Sequence, residues 1–282
     1  MSFADEPMPP RRDWRTPLLS DWELLLNGKV YRVHRAILGE GERRSDLLLD
    51  LFQQDAGGSS SSSQTDLTTL LPDRCWPAFE TLLDYAYELS NLEITDPVTA
   101  VKVCQMANVL KMPALASRAA ECIAGAPSQT LPALLAEAQH ADLHSIAAEA
   151  QSRVISSFAG LEPTSFVALL PAKLDTILND VATAGVPAAT QRRVCSVVVA
   201  YLRAAESGAA ACTDLKLCFD VLVAPRAPIF RFAAPDDGLY TLTHAATFGA
   251  AVEVQQSCID AVQVNRRGVE RRRMCMLQLS TL

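Results

Sequence analysis

SDWELLLNGKVYRVHRAIL, residues 20–38, reads as a two-stranded hairpin running into a helical turn. Asn27-Gly28 lies at its centre, and both residues tolerate the positive φ angles that a two-residue hairpin turn demands. Glu23–Leu26 and Lys29–Val33 are the flanking strands, with Tyr31 and Val33 suited to a pleated surface. His34–Leu38 follows as a short helical turn, and Ser45–Phe52 as a helix with Ser45 at its N-cap. Residues 57–63, GGSSSSS, are a low-complexity linker at a loop tip. Leu67–Leu71 is the candidate third strand.

The hydrophobic period changes at Phe79. Phe79, Leu82, Leu83, Ala86 and Tyr87 fall on one face of a helix. Helical patterns continue over Val98–Leu110, Ala114–Ile123, Pro132–His140 and Leu143–Phe158, the last with an unbroken apolar stripe from Leu143 to Phe158. Thr164 caps a short helix over Ser165–Leu170, and Pro171 opens a turn to Leu178. Thr190–Ala205 is a long helix burying Val194, Val197, Val198, Tyr201 and Leu202. Beyond Ser207 the period shifts to two, at Leu215, Leu217, Phe219, Val221 and Val223, then at Ala261–Val264 and Val269–Leu279 around an Asn265–Gly268 turn. The expected fold class is α+β and mainly α: a small helix-capped sheet, then an all-α domain, then a small β-rich segment.

Apolar residues are 49% and charged ones 20% of the 282, enough core for two domains of ordinary size. The net charge of −7 argues against whole-protein gripping of nucleic acid or an anionic membrane. The eight cysteines show no CxxC and sit mostly in apolar segments, as free thiols do. Residues 1–14 hold no apolar signal core, and no run reaches the length needed to span a bilayer. The expected setting is therefore reducing, cytoplasmic or nuclear.

The ordered motifs resemble a known family. Residues 20–38 closely resemble the opening of BTB/POZ domains, with Ser-Asp, two strands, then His-Arg-x-x-Leu. CWPAFETLLDYAY, residues 75–87, is similar to that family's strand-to-helix segment, and residues 97–123 to its terminal helical pair. ALLAEAQHADLHSIAAEAQSRVISSF (133–158), SFVALLPAKLDTIL (165–178) and Thr190–Ala205 resemble successive parts of a BACK domain. The resemblance divides the chain into a tail over 1–19, a BTB/POZ domain over 20–124, a BACK-like domain over 125–206, and a β-rich segment of unassigned family over 207–282.

That resemblance implies a non-enzymatic adaptor without a cofactor. Many such proteins couple the cullin scaffold of a ubiquitin ligase to its substrate; others act in transcription or assembly. Cullin-binding members carry a hydrophobic-x-Glu signature shortly after the helix that is expected here to end at Phe52. This chain reads Gln53-Gln54-Asp55-Ala56-Gly57-Gly58, which lacks both the apolar anchor and the glutamate, so cullin binding is expected to be weak or absent. Phe52, Gln53, Gln54, Asp55 and Tyr87 remain the candidate partner-binding positions, and the substrate is assigned to residues 207–282. The family's Tyr-Thr-Gly also departs, to Tyr87-Glu88-Leu89. Asp21 and Arg35 match a charged pocket near the family's dimer seam; their plainer reading is a helix-capping Asp and a solvated Arg. The family's strand-exchanged homodimer uses a helix and strand ahead of Ser-Asp. Residues 1–19 carry Pro7, Pro9, Pro10 and Pro17, with Trp14 the one large apolar side chain between Arg11 and Thr16, so that dimer is not expected.

Other chemistry is sparse. His140 and His144 have the spacing of a helical metal pair, but position 141 is alanine and no third ligand declares itself, so a helix junction is the better reading. Gly39-Glu40-Gly41 lacks the third glycine and preceding strand of a dinucleotide loop. Arg266, Arg267, Arg271, Arg272 and Arg273 form a basic cluster that fits an import or nucleic-acid patch, or better a charged turn that discourages strand pairing between molecules.

Overall fold

The hairpin turn forms as its residues require: Asn27 has φ 50° and Gly28 φ 75°. In the computed structural model the described residues are 13–16, 18–56, 64–88, 96–183, 188–212, 214–223, 225–226, 230–233, 239–244, 252–259 and 274–277. The turn joins β1 (Trp22–Leu26) to β2 (Lys29–Val33), paired antiparallel from Trp22↔Val33 to Leu26↔Lys29. Trp22, Leu24 and Leu26 alternate inward along β1, as do Tyr31 and Val33 along β2. The chain then crosses through α1 (Arg35–Gly39) and α2 (Asp46–Ala56) to β3 (Gln64–Asp66). β3 lies parallel to β1, so the sheet order is β2-β1-β3 with β1 central.

α1 packs so closely on α2 that a side chain at Gly39 would bring its Cβ within 3.3 Å of Leu49 Cδ1. Ser45 caps α2 as expected, accepting the Leu48 amide at 3.1 Å and donating its hydroxyl to the Leu110 carbonyl at 2.5 Å. The third strand is displaced from its expected place. Leu67 and Leu71 are fully or almost fully buried, yet they lie in a turn closed by Leu71 N–H to Leu67 O, while the polar segment before them pairs with β1. A short edge strand takes its order from backbone pairing, and the apolar run after it plugs the core.

A 3₁₀ turn over Asp73–Ala78 leads into α3 (Phe79–Ala86), where Phe79, Leu82, Leu83 and Ala86 are buried. α4 (Pro97–Val109) opens with Pro97 behind Asp96, whose carboxylate accepts the Val98 and Thr99 amides. α5 (Pro113–Ala124) packs antiparallel to it after a short reversal, and together they close the first of two compact units, Met1–Ala126 and Pro127–Leu282.

The second unit begins with α6 (Leu131–His140) and α7 (His144–Ser157). A 3₁₀ segment, Pro163–Ala168, replaces the expected helix over 165–170. The expected turn from Pro171 is instead the thirteen-residue α8 (Pro171–Thr183), because Leu174, Ile177, Leu178 and Val181 give it a helical buried face. α9 (Ala188–Glu206) is fixed by fully buried Tyr201, whose hydroxyl donates to the Leu169 carbonyl at 2.5 Å.

The expected strand at 215–223 is helical: α10 (Leu215–Cys218) runs into a π-helical turn, Phe219–Val223. Asp214 explains the start, accepting the Leu217 amide at 3.1 Å. Cys218, Leu222 and Val223 are buried whereas Leu217 is 46% exposed, a helical spacing inside a run that alternates by composition. Arg226 then clamps this segment to α8. Its guanidinium bonds the Leu222 and Asp175 carbonyls, the Asn179 side chain at 2.8 Å and the Asp175 carboxylate at 2.7 Å. Further on, β4 (Phe230–Ala233), β5 (Leu239–His244), β6 (Val252–Ile259) and β7 (Met274–Leu277) pair antiparallel in sequence order. The expected strand over 269–279 is thus four residues long where described, and 261–264 lies outside the described residues.

Two measurements test this packing. Tyr201→Phe leaves a buried carbonyl without its donor and should cost about 1–3 kcal/mol in denaturant unfolding; an unchanged midpoint would show that the hydroxyl bond contributes nothing. Burial pushes the thiols of Cys195 and Cys218 up to about 12, the latter also through neighbouring Cys212. Both should resist maleimide at neutral pH in the native protein and react on unfolding.

Candidate interaction site

Three hydrogen bonds tie the end of α3 and the segment before β1 to His34, at the junction of β2 and α1. Tyr87 Oη accepts the His34 backbone N–H at 2.8 Å and lies 2.9 Å from His34 Nδ1. The Leu18 carbonyl, 2.9 Å from Nε2, can only accept, so Nε2 carries the proton of the neutral imidazole and Nδ1 accepts from the Tyr87 hydroxyl. His34 is 4% exposed and Tyr87 5%, so the two bonds between them form away from water, while the bond to Leu18 is part-buried.

Asp21 and Arg35 lie beside this relay. The Asp21 carboxylate accepts the Arg35 backbone N–H at 2.8 Å, which satisfies the first turn of α1 from outside the helix. The Arg35 guanidinium stacks 4.0 Å above the Trp22 ring and 6.0 Å from the Phe52 ring centre. The Asp21 carboxylate thus meets the Arg35 backbone amide, while the Arg35 guanidinium stacks on Trp22. The cap reading holds for Asp21, while Arg35 is half-buried against aromatics rather than solvated.

The sequence reading sets residues 1–19 aside as a tail, and here the structure corrects it. Trp14 is 8% exposed, its ring 5.7 Å from that of Tyr31, and its indole N–H donates to Asp84 Oδ1 at 2.8 Å. Arg15 stacks 4.3 Å over the Trp14 ring and pairs with the same carboxylate at 2.7 Å, which raises its guanidinium above its usual range through that bond to Asp84. The packed unit therefore reaches back to Asp13. A lone tryptophan among prolines and arginines was the available signal. Residues 1–12 lie outside the described residues.

Of the candidate partner-binding positions, Phe52 and Tyr87 are not surface anchors. Phe52 is 4% exposed, edge-on to Trp22 at 5.0 Å, and Tyr87 is committed to His34. α2 continues past its expected end to Ala56, so Gln53 and Gln54 are exposed on helix and Asp55 also lies within it. The basic cluster Arg266, Arg267, Arg271, Arg272 and Arg273 lies outside the described residues, as does the linker 57–63. His140 ends α6 and His144 starts α7, separated by a reversal with Asp142 at φ 53°, so they do not share a helix face. No cluster that could hold a metal occurs among the described residues, and none of their helices is long and apolar enough to cross a membrane.

Residues 13–125 match the BTB/POZ domain family, and the first unit is a BTB/POZ domain with the sheet, cross-over and helical pair described above. The match starts where Trp14 docks and ends with α5. No curated protein matches the chain. BTB/POZ domains are in general protein-interaction modules rather than enzymes.

The relay carries a direct test. Tyr87→Phe strips the acceptor from a buried amide and the donor from Nδ1, and should destabilise the protein by about 1–3 kcal/mol. Nitrogen NMR of the native protein should show His34 with its proton on Nε2. A proton on Nδ1 at neutral pH would reverse the assigned direction of the relay.

Proposed function

We propose that this protein is a non-enzymatic adaptor that recruits protein partners, with a BACK-type helical domain and a β-rich C-terminal segment following its BTB/POZ domain. The observation that carries the reading is the BTB/POZ match over residues 13–125. The succession of α6 to α9 after it supports the BACK assignment, and the pairing of β4 to β7 supports the last. The cytoplasm or nucleus is the proposed location, supported by the free thiols of Cys75, Cys104, Cys122, Cys195, Cys212 and Cys218.

Two forms of adaptor are open to the family. One recruits substrates to a cullin-RING ubiquitin ligase; the other is a scaffold or transcription-associated assembly protein that needs no cullin. The second is favoured here by what occupies the end of α2. In the stretch from Gln53 to Gly58, where the family's cullin-binding members carry their signature, Gln53 and Gln54 are exposed polar residues and alanine, Ala56, stands at the anchor position, while the large side chains nearby, Phe52 and Tyr87, belong to the core. A self-contained BTB unit is also proposed in place of a strand-exchanged dimer, because Trp14 packs within its own chain on Tyr31 and Asp84.

Proximity labelling in cells tests the adaptor reading itself: a reproducible set of partners is expected, and labelling no different from that of an inert fusion would sink it. For the cullin, calorimetric titration of a purified N-terminal region into the full chain should give weak binding or none. One missing hot-spot anchor costs about 2 kcal/mol or more, roughly thirtyfold in affinity. Tight stoichiometric binding would overturn the scaffold form.

A further inference from the structure

A cleft of about 360 Å³ opens in the second unit between the C-terminal half of α6, the end of the Pro163–Ala168 turn and the start of α8. That size is at the lower end of clefts that take a small ligand or an anchoring side chain. Its walls are of two kinds. Ala136, Ala168 and Leu170 give it an aliphatic side, and Gln139, His140 and Lys173 a side rich in hydrogen-bond donors. No aspartate or glutamate lines it.

Two features distinguish it from an ordinary surface dimple. Leu170 is 48% exposed, and a single exposed leucine needs no explanation by itself. This one is held at the edge of the cleft by rigid neighbours. Leu169 before it is fully buried with its carbonyl bound by Tyr201, Pro171 after it begins α8, and the Leu170 carbonyl accepts the Lys173 and Leu174 amides. An apolar contact made there would lose little freedom on binding. Lys173 is the second feature. Its ammonium is held by the Gln151 side-chain oxygen of α7, a neutral acceptor, and it forms no ion pair among the described residues. A cation positioned by a neutral group keeps its charge for another partner.

We infer that this cleft docks a short linear segment of a partner protein in which an aliphatic side chain is flanked by aspartate or glutamate. The aliphatic group fills the space against Ala136, Ala168 and Leu170, and the carboxylate meets Lys173. The aliphatic wall gives the segment its anchor, and the lysine sets the sign of the charge beside it. This assignment rests on the adaptor reading and gives it a partner chemistry.

The experiment uses the full chain and an array of short labelled peptides with a fixed central leucine and flanks that are acidic, basic or neutral. Acidic flanks should bind best. Lys173→Glu should weaken the acidic set by about tenfold and move the preference toward basic flanks, a reversal that misfolding would not produce. Leu170→Asp should weaken all leucine peptides, and Lys173→Arg should keep the acidic preference. Equal binding of acidic and basic sets, no binding at all, or an acidic preference untouched by Lys173→Glu would each overturn the assignment. A chain that recovers partners by proximity labelling yet fails the array loses the cleft assignment and keeps the adaptor reading.

Discussion

Burial of Trp22, Leu24 and Leu26 along one face of β1 is the constraint on which the first unit depends. β1 is the central strand, so its register sets that of both neighbours. A slip by one residue would turn three large side chains outward and bring Glu23 and Leu25 in. Trp22 reinforces the register at two points. Its indole N–H donates to Thr65 on β3 at 2.9 Å, and its ring contacts both Phe52 and the Arg35 guanidinium. Sheet order, the packing of α2 and the position of α1 are thus read from one residue, through a hydrogen bond, an edge contact and a cation–π stack.

Those parts of the fold that announce themselves locally were legible. Asn27-Gly28 demands a turn in any context, and the long amphipathic runs of α3 to α7 and α9 carry their own period. What escaped was decided by contacts distant in sequence. β3 is a polar triplet whose strand character comes only from β1, and the leucines after it mimic a strand because they fill the core. At 215–223 the composition alternates, but Asp214 caps a helix and Arg226 holds it to α8 from fifty-one residues away. A capping aspartate before an apolar run was readable and outweighed by the alternation. The Arg226 clamp was not readable, since nothing near it in sequence marks its partners.

The site was legible in pieces. Resemblance pointed to a charged pocket at Asp21 and Arg35; what the structure shows is an Asp21 cap on the Arg35 amide and an Arg35 stack on Trp22, neither of which a spacing rule encodes. Phe52 and Tyr87 were candidates through the resemblance, but large aromatic residues that mark interfaces also mark cores. Burial decides between the two roles, and burial is a property of the fold. Trp14 shows the converse. Proline-rich surroundings obscured a residue that ends up 8% exposed, because its docking surface is made by Tyr31 and Asp84 from elsewhere in the chain.

Burial also limits where partners can be recognised. An interface draws its affinity from a few side chains that become buried on binding, and a side chain already buried has no further area to give. In the first unit Trp14, Trp22, Tyr31, Phe52, Phe79 and Tyr87 are all committed to the core. Among its described residues the exposed large apolar groups are Leu18, Leu19, Val30 and Leu70, and none of these is aromatic. Leu18 and Leu19 are the most exposed, at 72% and 79%, on a backbone that His34 holds through the Leu18 carbonyl and that turns at Leu19 with φ 61°. The buried relay thus has a consequence at the surface, because it presents two leucines on a fixed turn. A polar network satisfied by Tyr87 and His34 in the core and an apolar step outside it are two sides of the same few residues, and a substitution at Tyr87 reaches both.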